Sequence, residues 1–266
     1  MKITDGGPII SMRNVSKRYG KHGDVKALDD LSLDVSRGEV FGLLGPNGSG
    51  KTTTIRILNG IIKPTSGEAL VNGFDIRTHV DDVKRSTGLL AETPGAYEKL
   101  SPREYLEFIG SLYDVDRTLL PERIDRLLDL FDLQNRRDDL IEGFSKGMRQ
   151  KVLIAAALIH DPPIIFLDEP TSALDPRSTL VVRDLIHDLS AKAHKTVFVS
   201  SHILSMMEDV CDRMGIINQG RLVALGTAKE ISERAGKGGL EDAFIALTGG
   251  EQRPDLLAWR GSSADA

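Results

Sequence analysis

The chain has 266 residues, 40% of them hydrophobic and 27% charged, as expected of a globular protein with one large core or two modest ones. Its net charge of -5 offers no basic surface for a nucleic-acid partner, and a single cysteine, Cys211, excludes an internal disulfide and is expected to be a small buried apolar residue. The most apolar run, VLIAAALI, is less than half of the roughly 20 residues that a membrane-spanning helix needs, and the opening MKITDGGPII does not read as a signal peptide.

In chain order, IISMRNVSKRY and ALDDLSLDV alternate apolar and polar residues, as in Leu31, Leu33 and Val35, and predict N-terminal antiparallel β-strands. EVFGLLG is a continuous apolar run stopped by Gly45, the pattern of a strand buried on both faces. A helix is expected from about Thr52, then the strand GEALVNG, ended by an Asn72-Gly73 turn. From Ser101 to His160 the pattern is helical: PREYLEFIGSLY, LPERIDRLLDLFDL and a helix opening at Ser145, with Pro102 and Pro121 in first turns.

Buried-strand patterns return in IIFLDEP, TVFVSSH and RMGIINQG, alternating with helical segments such as RSTLVVRDLIHDLSAKA. Such alternation implies a mainly parallel sheet. The expected fold is α/β: a core over about 8–90 and 161–225 and an α-helical insert over about 91–160. Together they form one domain over 1–248, followed by a flexible tail over 249–266 in which Leu256, Leu257 and Trp259 are expected to stay undocked.

The segment GPNGSGKTT fits the phosphate-binding pattern G-x-x-x-x-G-K-[ST] and lies between a buried strand and a helix, the context that the pattern demands. Gly45, Pro46, Asn47, Gly48, Ser49, Gly50, Lys51, Thr52 and Thr53 are the candidate nucleotide-binding residues. Gly48 and Gly50 let backbone N–H groups turn inward, the helix start adds partial positive charge, Lys51 reaches the outer phosphates, and the Thr52 hydroxyl suits Mg²⁺. The run IIFLDEP carries Asp168 and Glu169 to the end of a strand, Asp168 to hold the Mg²⁺ hydration shell and Glu169 to accept a proton from an attacking water. His202 ends another buried strand, expected in the same sheet, and is the candidate to hydrogen-bond the terminal phosphate and sense its presence. A second helix start, GFSKGMRQ, has the cap and glycine of an anion site, although in isolation a plain helix cap without a ligand is the default reading.

Together, Gly45–Thr52, FSKGM, IIFLDEP, SALD and SSH, in this order, resemble the ATP-binding cassette ATPases, the nucleotide-binding subunits of ABC transporters, over residues 8–248. The resemblance implies the P-loop NTPase fold, ATP and Mg²⁺ as ligands, and two subunits packed head to tail. Ser145 and Gly147 would then contact the partner's γ-phosphate. It also implies that Tyr19 stacks on adenine, that Asp175 communicates between the sites, and that Glu92 stands where the family has a metal-contacting glutamine. The signature departs from LSGGQ at Phe144, Lys146 and Met148. These departures and the ending LEDAFIALTGG resemble the branch that drives exporters of drugs, polysaccharides or sodium.

A separately encoded membrane permease is the implied partner, placing the chain at the cytoplasmic face. Tyr97, Leu100, Tyr105 and Phe108 are candidates for lining its docking groove, with Leu100 and Phe108 equally suited to the insert's own core. The competing readings are a soluble ATP switch without a transport role and a P-loop kinase or GTPase; FSKGMRQ and the Asp-Glu pair argue against the latter.

Overall fold

The computed structural model describes residues 7–20, 23–92, 97–236 and 238–249. The tail expected over 249–266, except Gly249, lies outside the described residues. The chain opens with β1 (Ile10–Tyr19) and β2 (Val25–Val35), an antiparallel pair, followed by β3 (Val40–Leu44) and α1 (Lys51–Leu58). The strands β4 (Ser66–Val71) and β5 (Phe74–Asp75) form a hairpin whose turn residues Asn72 and Gly73 both have positive φ, 50° and 85°, the geometry that favours this dipeptide. Next come α2 (Val80–Arg85) and β6 (Thr87–Leu90).

The expected helical stretch contains α3 (Pro102–Leu112), α4 (Leu120–Leu130) and α5 (Lys146–Leu158). Pro102 and Pro121 occupy first turns, and Ser101 closes a capping box with Glu104. The second half runs β7 (Ile164–Asp168), α6 (Pro176–Ala191), β8 (Thr196–Ser201), α7 (Leu204–Val210), β9 (Arg213–Asn218), β10 (Arg221–Gly226), α8 (Ala228–Arg234) and α9 (Leu240–Thr248).

Two sheets result. One is antiparallel, in the order β2-β1-β4-β5; the other follows β10-β9-β3-β8-β7-β6, parallel except for β10. This bears out the expected α/β fold with an antiparallel N-terminal part. The strands β6 and β10 carry no strong sequence signal, because one is only four residues long and the other is a half-exposed edge.

The central strands are buried on both faces, as their unbroken apolar runs require. Val40, Leu44, Ile165, Leu167, Val197 and Val199 point to one side and share a core with α3, α4 and α5. Phe41, Leu43, Ile164, Phe166 and Phe198 point to the other, against α1 and the antiparallel sheet. There Phe41, Phe198 and Phe166 form a row across three strands with ring centroids 5.4 and 5.5 Å apart. Cys211 packs at the edge of the first core, and burial pushes its thiol well above the ordinary range. No helix among the described residues is long and apolar enough to cross a membrane.

Candidate active site

The parallel strands β3, β7 and β8 deliver their carboxyl ends side by side, which is where ligands of such sheets bind. The loop after β3 turns into α1 through Gly48 and Gly50, with φ of 76° and 114°. A side chain at Gly50 would also lie 2.7 Å from the carbonyl oxygen of Ala27, so both torsion and space demand glycine. The loop and the start of α1 line a cavity of about 260 Å³ together with Ala27, Glu92 and Glu169. Asn47, Gly48, Gly50, Lys51, Thr52 and Thr53 are the loop residues that reach it.

Lys51 is only 7% exposed. Its ammonium donates to the carbonyls of Gly45 and Pro46 at 2.7 and 3.3 Å and stands 3.8 Å from Glu169 Oε1. Ser49 is buried, its N–H donating to the Pro46 carbonyl at 3.2 Å, which closes the turn.

Asp168 is the last residue of β7 and is fully buried. The Ser200 hydroxyl of β8 donates to its Oδ1, whereas Oδ2 is buried without a hydrogen-bond partner among the described residues. Burial raises the Asp168 pKa, opposed by the Ser200 hydroxyl and reinforced by the nearby Glu92 and Glu169 charges. Thr52 Oγ1 donates to Glu92 Oε2 at 2.9 Å. A buried, unpartnered carboxylate oxygen beside a hydroxyl and a second carboxylate is the oxygen-donor chemistry of a Mg²⁺ site, so these residues fit that ion.

Glu169 follows with φ 51°, an uncommon left-handed conformation for a residue with a side chain. Its N–H donates to the Ser200 carbonyl at 3.1 Å, so β8 holds the backbone as the chain leaves the sheet. The carboxylate is 7% exposed; Oε2 lies 2.9 Å from His202 Nδ1 and accepts from the Ser201 hydroxyl at 3.3 Å. The β8 terminus therefore orients both acidic residues: Ser200 on Asp168, Ser201 and His202 on Glu169. The two serines were hidden in the sequence, since only the register of β8 against β7 brings them there.

Tyr19 ends β1, 37% exposed, with the Lys17 ammonium 5.0 Å from its ring centroid. It does not line the cavity; its antiparallel partner is Val25, two residues before the lining Ala27.

Ser145, Gly147 and Asp175 lie elsewhere. Ser145 caps α5 by accepting from the Met148 N–H at 3.2 Å, and Asp175 caps α6 by accepting from the Ser178 N–H at 3.0 Å. Hydrogen bonding from Ser178 holds the Asp175 carboxyl below its ordinary pKa. The three line a second cavity of about 340 Å³, with Lys146, Met148, Lys151 and Ala173, and no residue lines both. The second cavity thus pairs a helix N-terminus with two lysines, a setting that attracts anions.

These two helix starts, and the acidic pair after β7, occupy the places expected from the motifs. The family model described as ABC transporter matches residues 28–172, more than half of the chain. The chain belongs to the ABC transporter family. It is 40% identical over 215 residues to the bacitracin transport ATP-binding protein BcrA of Bacillus licheniformis, covering 81% of this chain and 68% of that protein. To the ABC transporter ATP-binding protein NatA of Bacillus subtilis (strain 168) it is 39% identical over 228 residues, covering 85% and 92%. Among solved structures, the dimeric post-hydrolysis state of the ATP-binding cassette MJ0796 bound to ADP and Pi superposes with a TM-score of 0.76 at 26% identity, covering 82% of this chain and 98% of that one.

This ABC ATPase binds nucleotide and hydrolyses ATP to power a transporter, which excludes the kinase and GTPase readings. For the loop lysine, the expected result is loss of ATP binding in Lys51→Ala. Removing charge-assisted hydrogen bonds worth about 1.5–3 kcal/mol weakens affinity roughly 10- to 100-fold or more. Isothermal calorimetry checks this, and unchanged affinity would remove the loop from the site.

Proposed function

We propose that the chain works as one half of a head-to-tail dimer. Each ATP is held between the Gly45–Thr53 loop of one subunit and the Ser145–Gly147 helix start of the other. The observation that carries this reading is the separation of the two cavities: Lys51, Thr52 and Glu169 line one, Ser145, Gly147 and Asp175 the other. Each is open, and each offers a different half of what a triphosphate needs. The dimeric MJ0796 cassette, bound to ADP and Pi, supports the pairing.

Within the first cavity, Lys51 neutralises the outer phosphates and Glu169 accepts a proton from the attacking water. His202 orients the Glu169 carboxylate through Oε2 and stands ready for the terminal phosphate. Asp168, Thr52 and Glu92 would hold Mg²⁺, which supplies positive charge for the phosphate oxygens. Three carboxylates facing one lysine would otherwise repel a triphosphate. Tyr19 supports the adenine from the strand end, and Asp175 borders the partner's phosphate. A second copy or a related ATPase completes the pair.

The membrane partner is a separate permease, with the chain at its cytoplasmic face and no nucleic acid involved. Residues 91–160 form its docking insert within a domain over 1–248. Tyr97 and Phe108 are 59% and 43% exposed and meet edge to face at 5.4 Å, a surface suited to a short helix. Tyr105 corrects the expectation for this groove: it is 6% exposed and belongs to the core, because α3 turns that face toward α4 and α5. Leu100 is partly buried against the same core. BcrA is a bacitracin transport ATP-binding protein, and with the exporter-like signature and ending of this chain the relation supports a role in driving an exporter.

The test is dimerisation. Glu169→Gln protein with Mg-ATP should elute as a dimer in size exclusion, and adding Ser145→Arg, which fills the space meant for the partner's nucleotide, should return it to monomer. A dimer in both, or a monomer in both, counts against the composite site.

A further inference from the structure

We infer that Gln150 is a positioning residue for Glu169: its side-chain amide holds the backbone turn that aims the carboxylate at the reacting water. The inference rests on the reading of Glu169 as the proton acceptor. Gln150 sits on the second turn of α5, five residues after Ser145, yet it points inward and is 8% exposed. Its Nε2 donates to the carbonyl oxygens of Pro170 at 3.1 Å and Glu169 at 3.4 Å. A buried amide spent on two adjacent carbonyls fixes the peptide planes on either side of Pro170.

That turn needs holding. Glu169 has φ 51°, a conformation that its side chain disfavours and that persists only where neighbours over-determine it. The Glu169 N–H is tied to the Ser200 carbonyl at 3.1 Å, and the Glu169 carbonyl receives the Ser172 N–H at 3.3 Å. These bonds hold the start of the turn and close it, but only Gln150 reaches it from outside the segment on the carbonyl side among the described residues.

The helix and the turn meet again one turn earlier. A Cβ at Gly147 would lie 2.9 Å from the Ala173 carbonyl oxygen, so α5 rests on the stretch that runs from Glu169 to Asp175. The helix whose N-terminus lines the second cavity therefore also holds the acid that lines the first. In the proposed dimer, one helix touches one ATP with its N-terminus and positions the base for the other with Gln150.

The experiment uses Gln150→Met, of similar length but without a donor, in wild-type and Glu169→Gln proteins. In wild type, kcat for ATP hydrolysis should fall about tenfold or more while KM for ATP stays within about twofold, as expected for a displaced reacting group. In the Glu169→Gln background the same change should leave both the residual turnover and the ATP-dependent dimer unaltered, because the group it positions is already gone. A buried glutamine that merely supports the fold would lower activity in both backgrounds and weaken the dimer. That result, or an unchanged kcat in wild type, overturns the inference. Should Gln150→Met fail to fold, Gln150→Leu, which is apolar and likewise lacks a donor, is read by the same criteria. If Glu169→Gln itself retains near-normal hydrolysis, the assignment of Glu169 fails instead, which separates the two claims.

Discussion

Glu169→Gln is expected to keep ATP affinity and lose nearly all hydrolysis. The substitution preserves the volume of a side chain that is only 7% exposed and keeps an oxygen able to face His202 Nδ1, now 2.9 Å from Oε2. What it removes is the proton acceptor. General-base catalysis contributes about 10²–10⁴-fold, so turnover should fall by that order. Phosphate-release assays at saturating ATP measure it, with calorimetry in parallel for affinity. Activity within a few-fold of wild type would shift the role of base to Glu92 or His202. Both are close enough to be considered: Glu92 lines the same cavity and His202 contacts the Glu169 carboxylate.

The parts of this site that could be read from the chain alone are those whose geometry is local. The glycine loop needs consecutive residues with particular torsions between a strand and a helix, so GPNGSGKTT announces itself. Asp168 and Glu169 are similar, since an apolar strand carries them to its end. The supports of these residues were not readable in this way. Ser200 and Ser201 act on Asp168 and Glu169 because β8 pairs with β7 in parallel register, placing Asp168 opposite Ser200. Gln150 reaches the carbonyls of Glu169 and Pro170 only because α5 packs back against the end of β7.

The same limit applies to packing. Tyr105 and Phe108 are both aromatic and one helical turn apart, and either suits a groove or a core. The placement of α4 and α5 decides that Tyr105 is covered and Phe108 exposed. Likewise the strand β6, four residues long, is identified by its pairing with β7 and not by its composition. Its importance is positional: Glu92 follows its end and so reaches the Thr52 hydroxyl at 2.9 Å.

Mixing two inactive proteins should restore ATP hydrolysis if the sites form between subunits. A Lys51→Ala subunit lacks a working glycine loop but has an intact Ser145–Gly147 helix start. A Ser145→Arg subunit has the reverse. In a dimer of one of each, both defects fall in the same composite site: the loop without its lysine faces the helix start blocked by arginine. The other site then joins an intact loop, with its own Asp168 and Glu169, to an intact helix start. Homodimers of either mutant contain no such site, since every loop or every helix start is damaged. With random pairing about half of the dimers are mixed and each has one sound site of two, so up to roughly a quarter of wild-type turnover is expected if the sites act independently. If each site formed within one chain, Lys51 and Ser145 would belong to the same site, and no mixture would contain an undamaged one. The structure bears on the difference because Lys51 and Ser145 line separate cavities. The measurement is phosphate release from each mutant alone and from the equimolar mixture, repeated over increasing protein concentration. Recovery that rises with concentration identifies pairing between subunits. Flat, baseline turnover at concentrations where wild type is fully dimeric would mean that the helix start and the glycine loop do not share a nucleotide.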